Sequence, residues 1–338
     1  MSKIRNLIVI GASAGGIQAI SKIIEDLPEA IDAAIMIVLH VSLRSNAAVI
    51  SEIFQKKTPL QCLVATDGAT IEKGKIYLAP PDYHLMVNDT RMHLNQGTKE
   101  NKQRPSINIL FRSAAVHFAN RTIGIILTGM LDDGTSGMYA IKRCGGICII
   151  QDPSEAEYAS MPKNVLSMIT VDYTAILKEI PTIIKDVLSK PLPQNIAVPD
   201  DLKIEVNLTE KMMSNIDALK KISDRSDFVC PECGGGLWKI KMDPTHRYRC
   251  HTGHVYSEQF LNELQDLKIE ESIWVSIRML EEKESMLKLL ESRSNANNEN
   301  KKPSLYVKRR EEINEHIHRL KSLLITLSDD KLPSGRNE

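Results

Sequence analysis

The chain has 338 residues, 43 basic and 43 acidic side chains and no formal net charge. That length suggests about two domains, and the neutral balance removes any general electrostatic pull toward nucleic acid or an anionic membrane. Aromatic residues make up only 4% of the chain, which argues against base-stacking platforms, and no apolar run approaches the ~18–20 residues of a membrane span.

Residues 7–10 form a short continuous apolar run after Lys3 and Arg5. It resembles the start of a signal peptide only faintly, because it ends at a glycine turn and leads into a helix-like segment, so we read it as a first strand. Residues 17–26 carry Ile17, Ile20, Ile23 and Ile24 on one helical face. Residues 33–39 read as a second buried strand and residues 49–55 as a helix. The stretches "KIYLAPP" and "RMHLNQ" read as a pair of strands. Residues 108–119 read as helix, 122–129 as a third apolar strand, 139–143 as helix and 146–152 as a fourth apolar strand. Continuous apolar runs alternating with helices predict an α/β fold, doubly wound, with a mainly parallel sheet covered on both faces.

The composition then changes. Residues 189–201 form a Pro-rich connector, and residues 202–226 are charged and weakly patterned. A cysteine module follows. Two apolar stripes come next, Leu267, Ile273, Ile277, Leu280, Leu287 and Leu290, then Ile313, Ile317, Leu320, Leu324 and Leu327. The polar stretch 292–303 separates them, which predicts an antiparallel helical hairpin that could serve as an oligomerisation arm. The expected organisation is the α/β domain at 1–190, a linker at 191–226, the cysteine module at 227–256 and the hairpin at 257–330.

The turn after the first strand, "GASAGG", admits two chemistries. A dinucleotide fingerprint needs a glycine where Ser13 stands and an acid at the end of the second strand, where His40 stands. The same residues fit G-x-S-x-G, in which small neighbours allow a sharp turn that presents a serine hydroxyl at the carboxyl edge of the sheet. A serine needs a base, and His40 ends the neighbouring strand. The third strand runs into "GMLDDGTSG", which supplies Asp132 and Asp133 to orient an imidazole. Three strand ends therefore offer serine, histidine and aspartate to one crevice.

Six blocks occur in order: "GASAGG", "LH" at 39–40, "YLAPPDYHL", "RPSINILFRSAA", "LTGMLDDGTSG" and "QDPSEAEYASMPKNV". Over about residues 5–190 the chain resembles the catalytic domain of the CheB receptor methylesterases. The resemblance implies hydrolysis of glutamate γ-methyl esters on a chemoreceptor or related signalling protein, with glutamine deamidation as a second activity and no catalytic cofactor. It places the catalytic residues on Ser13, His40 and Asp133, and the oxyanion-holding amides on Ala14 and Met130. Where the family has glycine after that methionine, this chain has Leu131, which would be strained at positive φ. The family's chemotaxis enzymes carry a receiver domain ahead of the catalytic one. With the first strand at residue 7, the expectation is a free-standing relative that is not phosphorylated in cis. The alternative reading is a catalytically silent adaptor that uses the same fold for protein binding.

Cys230-Pro-Glu-Cys233 and Cys250-His-Thr-Gly-His254 have the spacing of a zinc ribbon. Cys230, Cys233, Cys250 and His254 are the expected ligands of a structural Zn2+, with His251 as a rival fourth ligand. Cys62, Cys144 and Cys148 read as buried hydrophobes, and this cysteine usage suits a reducing cytoplasm. Neither nucleic-acid binding nor membrane insertion is expected. Because the candidate catalytic residues all precede residue 135, small-ester hydrolysis is expected to survive loss of the ribbon.

Overall fold

The computed structural model describes residues 6–42, 45–191, 196–212, 215–296 and 302–329. The order through residue 189 is β1 (Leu7–Ala12), α1 (Gly16–Glu25), β2 (Ala34–Leu39), α2 (Ala47–Gln55), β3 (Gln61–Val64), β4 (Lys75–Leu78), β5 (His84–Asn88), β6 (Arg91–Asn95), α3 (Ile107–Phe118), β7 (Thr122–Ile126), α4 (Thr135–Arg143), β8 (Ile147–Gln151), α5 (Ser160–Met168), β9 (Tyr173–Ala175) and α6 (Ile180–Ser189). Seven strands form one sheet in the order β3-β4-β2-β1-β7-β8-β9, and every neighbouring pair is parallel. This is the doubly wound α/β architecture expected from the apolar runs.

The continuous runs are apolar because both faces are covered. In β1, Leu7 and Val9 enter one core with Phe111 of α3, Met138 of α4 and Met161 of α5. Ile8, Ile10 and Ala12 enter the other with Ile20 of α1, Phe54 of α2 and Ile184 of α6. From β1 the chain moves to β2 on one side and later returns to β7 on the other. Open α/β sheets place their sites at such a reversal, here the carboxyl ends of β1, β2 and β7.

One expected pairing is corrected. "KIYL" is β4, which lies between β2 and β3 in the main sheet, whereas "RMHLN" is β6 and pairs with β5 as a separate antiparallel hairpin. Ile76, Tyr77 and Leu78 are all buried, as a strand inside a parallel sheet requires, whereas β6 buries only Met92 and Asn95 and keeps Arg91 exposed.

Residues 191–226 contain α7 (Asp200–Glu210) and α8 (Ile216–Ile222). The apolar face of α7 is hard to see in the sequence because a charged residue, Glu205, points inward with Leu202, Val206 and Leu208. The cysteine module is a four-stranded antiparallel sheet of β10 (Ser223–Val229), β11 (Gly236–Ile240), β12 (Tyr248–Cys250) and β13 (Val255–Tyr256). Val255 also bridges to Glu100 in parallel, so the edge of this sheet continues onto the segment ahead of α3.

Residues 1–258 form one compact unit and 259–338 a second. The second is a pair of helices, α9 (Glu258–Ala296) and α10 (Lys302–Asp329). Ile277 and Leu287 pack with Ile313 and Ile317. Lys321 reaches Glu281 while Arg310 reaches Glu284 and Glu291, so the helices run antiparallel as their stripes predicted. Leu267, placed in the stripe by its spacing, is instead 52% exposed. The polar turn expected at 292–303 lies partly outside the described residues. Among those described, no helix is long and apolar enough to cross a membrane.

Candidate active site

The register of β1 with β2 ends at Ala12 opposite Leu39, which brings Ser13 and His40 out side by side. Backbone bonds stitch the three strand ends together. The His40 amide donates to the Ala12 carbonyl at 3.0 Å, and the Ser13 amide donates to the Thr128 carbonyl at 3.0 Å. The Thr128 amide in turn donates to Gln151 Oε1 at 2.8 Å. The small residues of the motif have definite work. Gly15 sits at φ 74°, and a Cβ on Gly11 would stand 2.4 Å from Ile107 Cγ2. The first allows the tight turn, and the second lets α3 approach the strand.

Asp133 lies between β7 and α4 and is buried. Its Oδ1 accepts from Ser106 Oγ and from the Asn108 amide, each at 3.0 Å, and Oδ2 accepts from the Ile107 amide at 2.7 Å. These amides are the unsatisfied donors at the start of α3, where a negative charge is favoured. His40 Nε2 stands 2.9 Å from Oδ2, an ion-pair distance, with the ring turned off the line of a well-aligned hydrogen bond. Burial alone would raise the Asp133 pKa; His40 and the amides of Ile107 and Asn108 outweigh it and hold the carboxyl below its ordinary range. The aspartate is therefore a fixed anion beside the imidazole. Among the described residues no hydrogen bond joins Ser13 Oγ to His40, a contact that sites of this type often close only around substrate.

Asp132 points elsewhere. Its Oδ1 accepts from Asn101 Nδ2 at 3.0 Å. Burial pushes its pKa up to about 6, and the neighbouring Asp133 charge adds to the rise. Met130 is 56% exposed, and Leu131 adopts φ 66°, the strained left-handed conformation anticipated for a leucine at this position. Among the described residues the amides of Ala14 and Met130 donate to no protein acceptor.

Several supporting residues escaped the sequence reading. Ser106 and the α3 amides cradle Asp133. His84, buried and lowered to about 4 by that burial, accepts from the Ser106 amide at Nδ1 and donates from Nε2 to the Thr98 carbonyl. Asn108 Oδ1 accepts from the amides of Gly134 and Gly137, fixing the loop after Asp133. The one available signal was "RPSIN", a serine immediately before a helical run. Arg112 of α3 takes no part in holding Asp133. It is buried in an ion cluster with Glu100 and Glu205, which Arg247 and Asp243 extend.

The ligand atoms of Cys230, Cys233, Cys250 and His254 all lie within 4.8 Å of one another. Cys233 and Cys250 sulfurs are 3.8 Å apart, and His254 Nδ1 is 3.5 Å from Cys250 Sγ and 3.7 Å from Cys230 Sγ. A tetrahedral zinc with Zn–S of about 2.3 Å separates its sulfurs by about 3.8 Å, so the donor set fits that ion. Glu232 holds His254 Nε2 at 3.2 Å, the carboxylate support common behind a metal-binding histidine. His251 is outside the cluster. Of the other cysteines, Cys144 and Cys148 are buried and Cys62 half-buried; burial raises their thiols to about 11, about 12 and about 11 respectively.

A parallel sheet carrying serine, histidine and aspartate at three adjacent strand ends has the architecture of an α/β hydrolytic enzyme. The sequence profile described as CheB methylesterase matches residues 8–184, and the chain belongs to that family. It is 38% identical over 174 residues to a Leptospira interrogans protein named for protein-glutamate methylesterase and protein-glutamine glutaminase activities, covering 51% of this chain and 90% of that one. A Methanosarcina mazei protein-glutamate methylesterase/protein-glutamine glutaminase is 36% identical over 180 residues, covering 51% of this chain and 49% of the relative. The crystal structure of the Thermotoga maritima CheB methylesterase catalytic domain superposes with a TM-score of 0.52 at 30% identity, covering 55% of this chain and 99% of that domain. The chain is thus a hydrolase of the methylesterase type.

Proposed function

We propose that the protein hydrolyses glutamate γ-methyl esters on a methylated chemoreceptor or related signalling protein, and deamidates glutamine by the same route. The observation that carries this reading is His40 at 2.9 Å from a buried, amide-held Asp133, next to Ser13 at the reversal of the sheet. Ser13 Oγ attacks the ester carbonyl carbon and its proton passes to His40, whose positive charge Asp133 offsets. The amides of Ala14 and Met130 receive the oxyanion. Collapse breaks the C–O bond to methoxide, which leaves as methanol with the proton from His40. Water then gives its proton to His40 and attacks the acyl-serine, releasing the carboxylate and regenerating Ser13. With glutamine the leaving group is ammonia, and no cofactor takes part.

The names of the relatives support the substrate class, and the cysteine usage suits a cytoplasmic setting. We also infer a structural zinc on Cys230, Cys233, Cys250 and His254, where the ion would cross-link the knuckle before β11 to the turn after β12. Metal analysis should find about one zinc per chain, lost in Cys250→Ser. The hairpin, with Trp274, Val275, Met279 and Met286 exposed on α9, is a candidate self-association arm that sedimentation would test. The decisive measurement is methanol release from a methylated receptor peptide by wild type and Ser13→Ala. Equal release by the two would overturn the esterase reading, and a wild type that is folded but silent would favour the adaptor.

A further inference from the structure

Asn101 is one of the side chains at which the ribbon meets the catalytic loop. Asn101 is 3% exposed and is bonded in three directions. Its amide donates to the Val255 carbonyl of β13 at 2.8 Å. Its Oδ1 accepts from the Ser257 amide, just past β13, at 2.9 Å. Its Nδ2 donates to Asp132 Oδ1 at 3.0 Å. The next residue along the loop from Asp132 is Asp133, the partner of His40. A side chain with one acceptor and one donor thus joins the end of the ribbon to the loop that carries the catalytic aspartate. A second tie runs in parallel, from ribbon residue Asp243 to Ser136 Oγ at 2.6 Å in the first turn of α4.

We propose that Asn101 is a positioning residue that uses the ribbon as a fixed abutment to hold the Asp132–Asp133 loop against His40, so that the ribbon completes the active site. The proposal rests on the esterase reading of that site. It also reverses the expectation that the ribbon can be lost without cost to small-ester hydrolysis. The triad candidates do precede residue 135, but Asn101, the side chain that holds Asp132, is itself anchored by Val255 and Ser257.

Asn101 adopts φ 48°, a conformation that asparagine and glycine tolerate and alanine does not, so Ala is a poor probe. Asn101→Asp is better. It keeps an acceptor for the Ser257 amide and replaces the donor facing Asp132 with a second carboxylate. Combining it with Asp132→Asn exchanges donor and acceptor and restores the hydrogen bond in the opposite sense. For Asn101→Asp we expect kcat on a small ester to fall about tenfold, with KM changed less than about twofold. The loss should be confined to kcat because the contact orients Asp133 and does not touch substrate. The exchanged pair Asn101→Asp/Asp132→Asn should return kcat to within about threefold of wild type. Hydrogen exchange of the peptide spanning residues 130–137, read on the same three proteins, should speed up in the single variant and slow again in the pair.

Were Asn101 only a ribbon anchor, Asn101→Asp would turn over and exchange like wild type. That result, or a folded exchanged pair that stays as slow as the single variant, overturns the proposal. The exchange measurement needs no turnover. If wild type and Ser13→Ala prove equally inactive, the esterase reading falls, and protection of the 130–137 segment still decides whether Asn101 holds the loop.

Discussion

Two regions of the first unit bury carboxylates, and they hold them by different means. At the sheet edge, Asp133 is anchored by backbone amides and one hydroxyl, with a single side-chain cation candidate, His40, alongside. At the ribbon junction, Glu100, Glu205 and Asp243 face the guanidinium groups of Arg112 and Arg247, with the buried Arg249 as a third cation near Glu205. Amides at a helix start fix an anion without neutralising it, so its field remains available to a neighbouring imidazole. Guanidinium groups saturate a carboxylate in charge and in hydrogen bonds, leaving a rigid joint with little reactive capacity. The first arrangement suits chemistry and the second suits attachment.

The largest effects should come from breaking the first arrangement. Ser13→Ala and His40→Ala should abolish ester hydrolysis with the fold intact by circular dichroism. Asp133→Asn should lower kcat by roughly 10⁴-fold, by analogy with the serine-protease aspartate. It should also cost ~1–3 kcal/mol, because an amide nitrogen would replace an acceptor of the α3 amides. Asp132→Asn should reduce turnover far less, since an amide oxygen can still accept from Asn101. If Asp132→Asn were the more damaging change, the assignment of the two aspartates would be reversed.

The second arrangement should respond in the opposite sense, with a large loss of stability and a smaller change in turnover. Glu205→Gln leaves only Glu100 and Asp243 against Arg112, Arg247 and the buried Arg249, and breaking a buried ion cluster in this way costs about 3–5 kcal/mol. Denaturant unfolding should report it, through earlier separation of the ribbon and α7 from the sheet. A stability change below ~1 kcal/mol would mean that water enters the junction and relieves the charges.

The pH dependence follows from the same contrast. Burial raises the Glu205 pKa, but Arg112 and Arg247 outweigh it and hold the carboxyl at about 2, below an ordinary value of 4.5. A depressed folded pKa stabilises the fold above the unfolded value, and that contribution is lost as pH falls through the folded value. The junction should therefore weaken progressively as pH drops from about 4.5 toward 2, and Glu205→Gln should flatten that acid limb. An acid limb unchanged by the substitution would assign the loss to other carboxylates.

How much of this was legible in the sequence depended on range. The strand ends bearing Ser13, His40 and Asp133 could be found because continuous apolar runs mark where a covered strand stops. Choosing Asp133 over Asp132 came from resemblance, since adjacent aspartates look alike until α3 is placed against one of them. The strands "QCLV", "HLMVN" and "YTA" went unread, being too short or too irregular to show a period. The ion cluster could not be read at all. Glu100, Arg112, Glu205, Asp243 and Arg247 look like solvated charges, and their burial is decided by tertiary contacts far apart in the chain. Asn101 was hidden for the same reason, its partners lying at Asp132 and Ser257.

The smallest expected effect tests the loop that lies between the two regions. Leu131 stands at φ 66° with its side chain 39% exposed, and its carbonyl accepts from Asn164 Nδ2 at 2.7 Å. A residue with a Cβ costs about 1–2 kcal/mol in this conformation. Glycine removes that strain but gives back roughly 0.5–1 kcal/mol through its freer unfolded chain. Leu131→Gly should therefore stabilise the protein by no more than ~1 kcal/mol, read as a small rise in denaturant midpoint at unchanged slope. Turnover should hold or rise slightly, because the Met130 amide precedes the substituted residue and Asn164 still grips the carbonyl after it. A marked fall in kcat would show that the leucine side chain itself contacts the substrate, and would make it a specificity element.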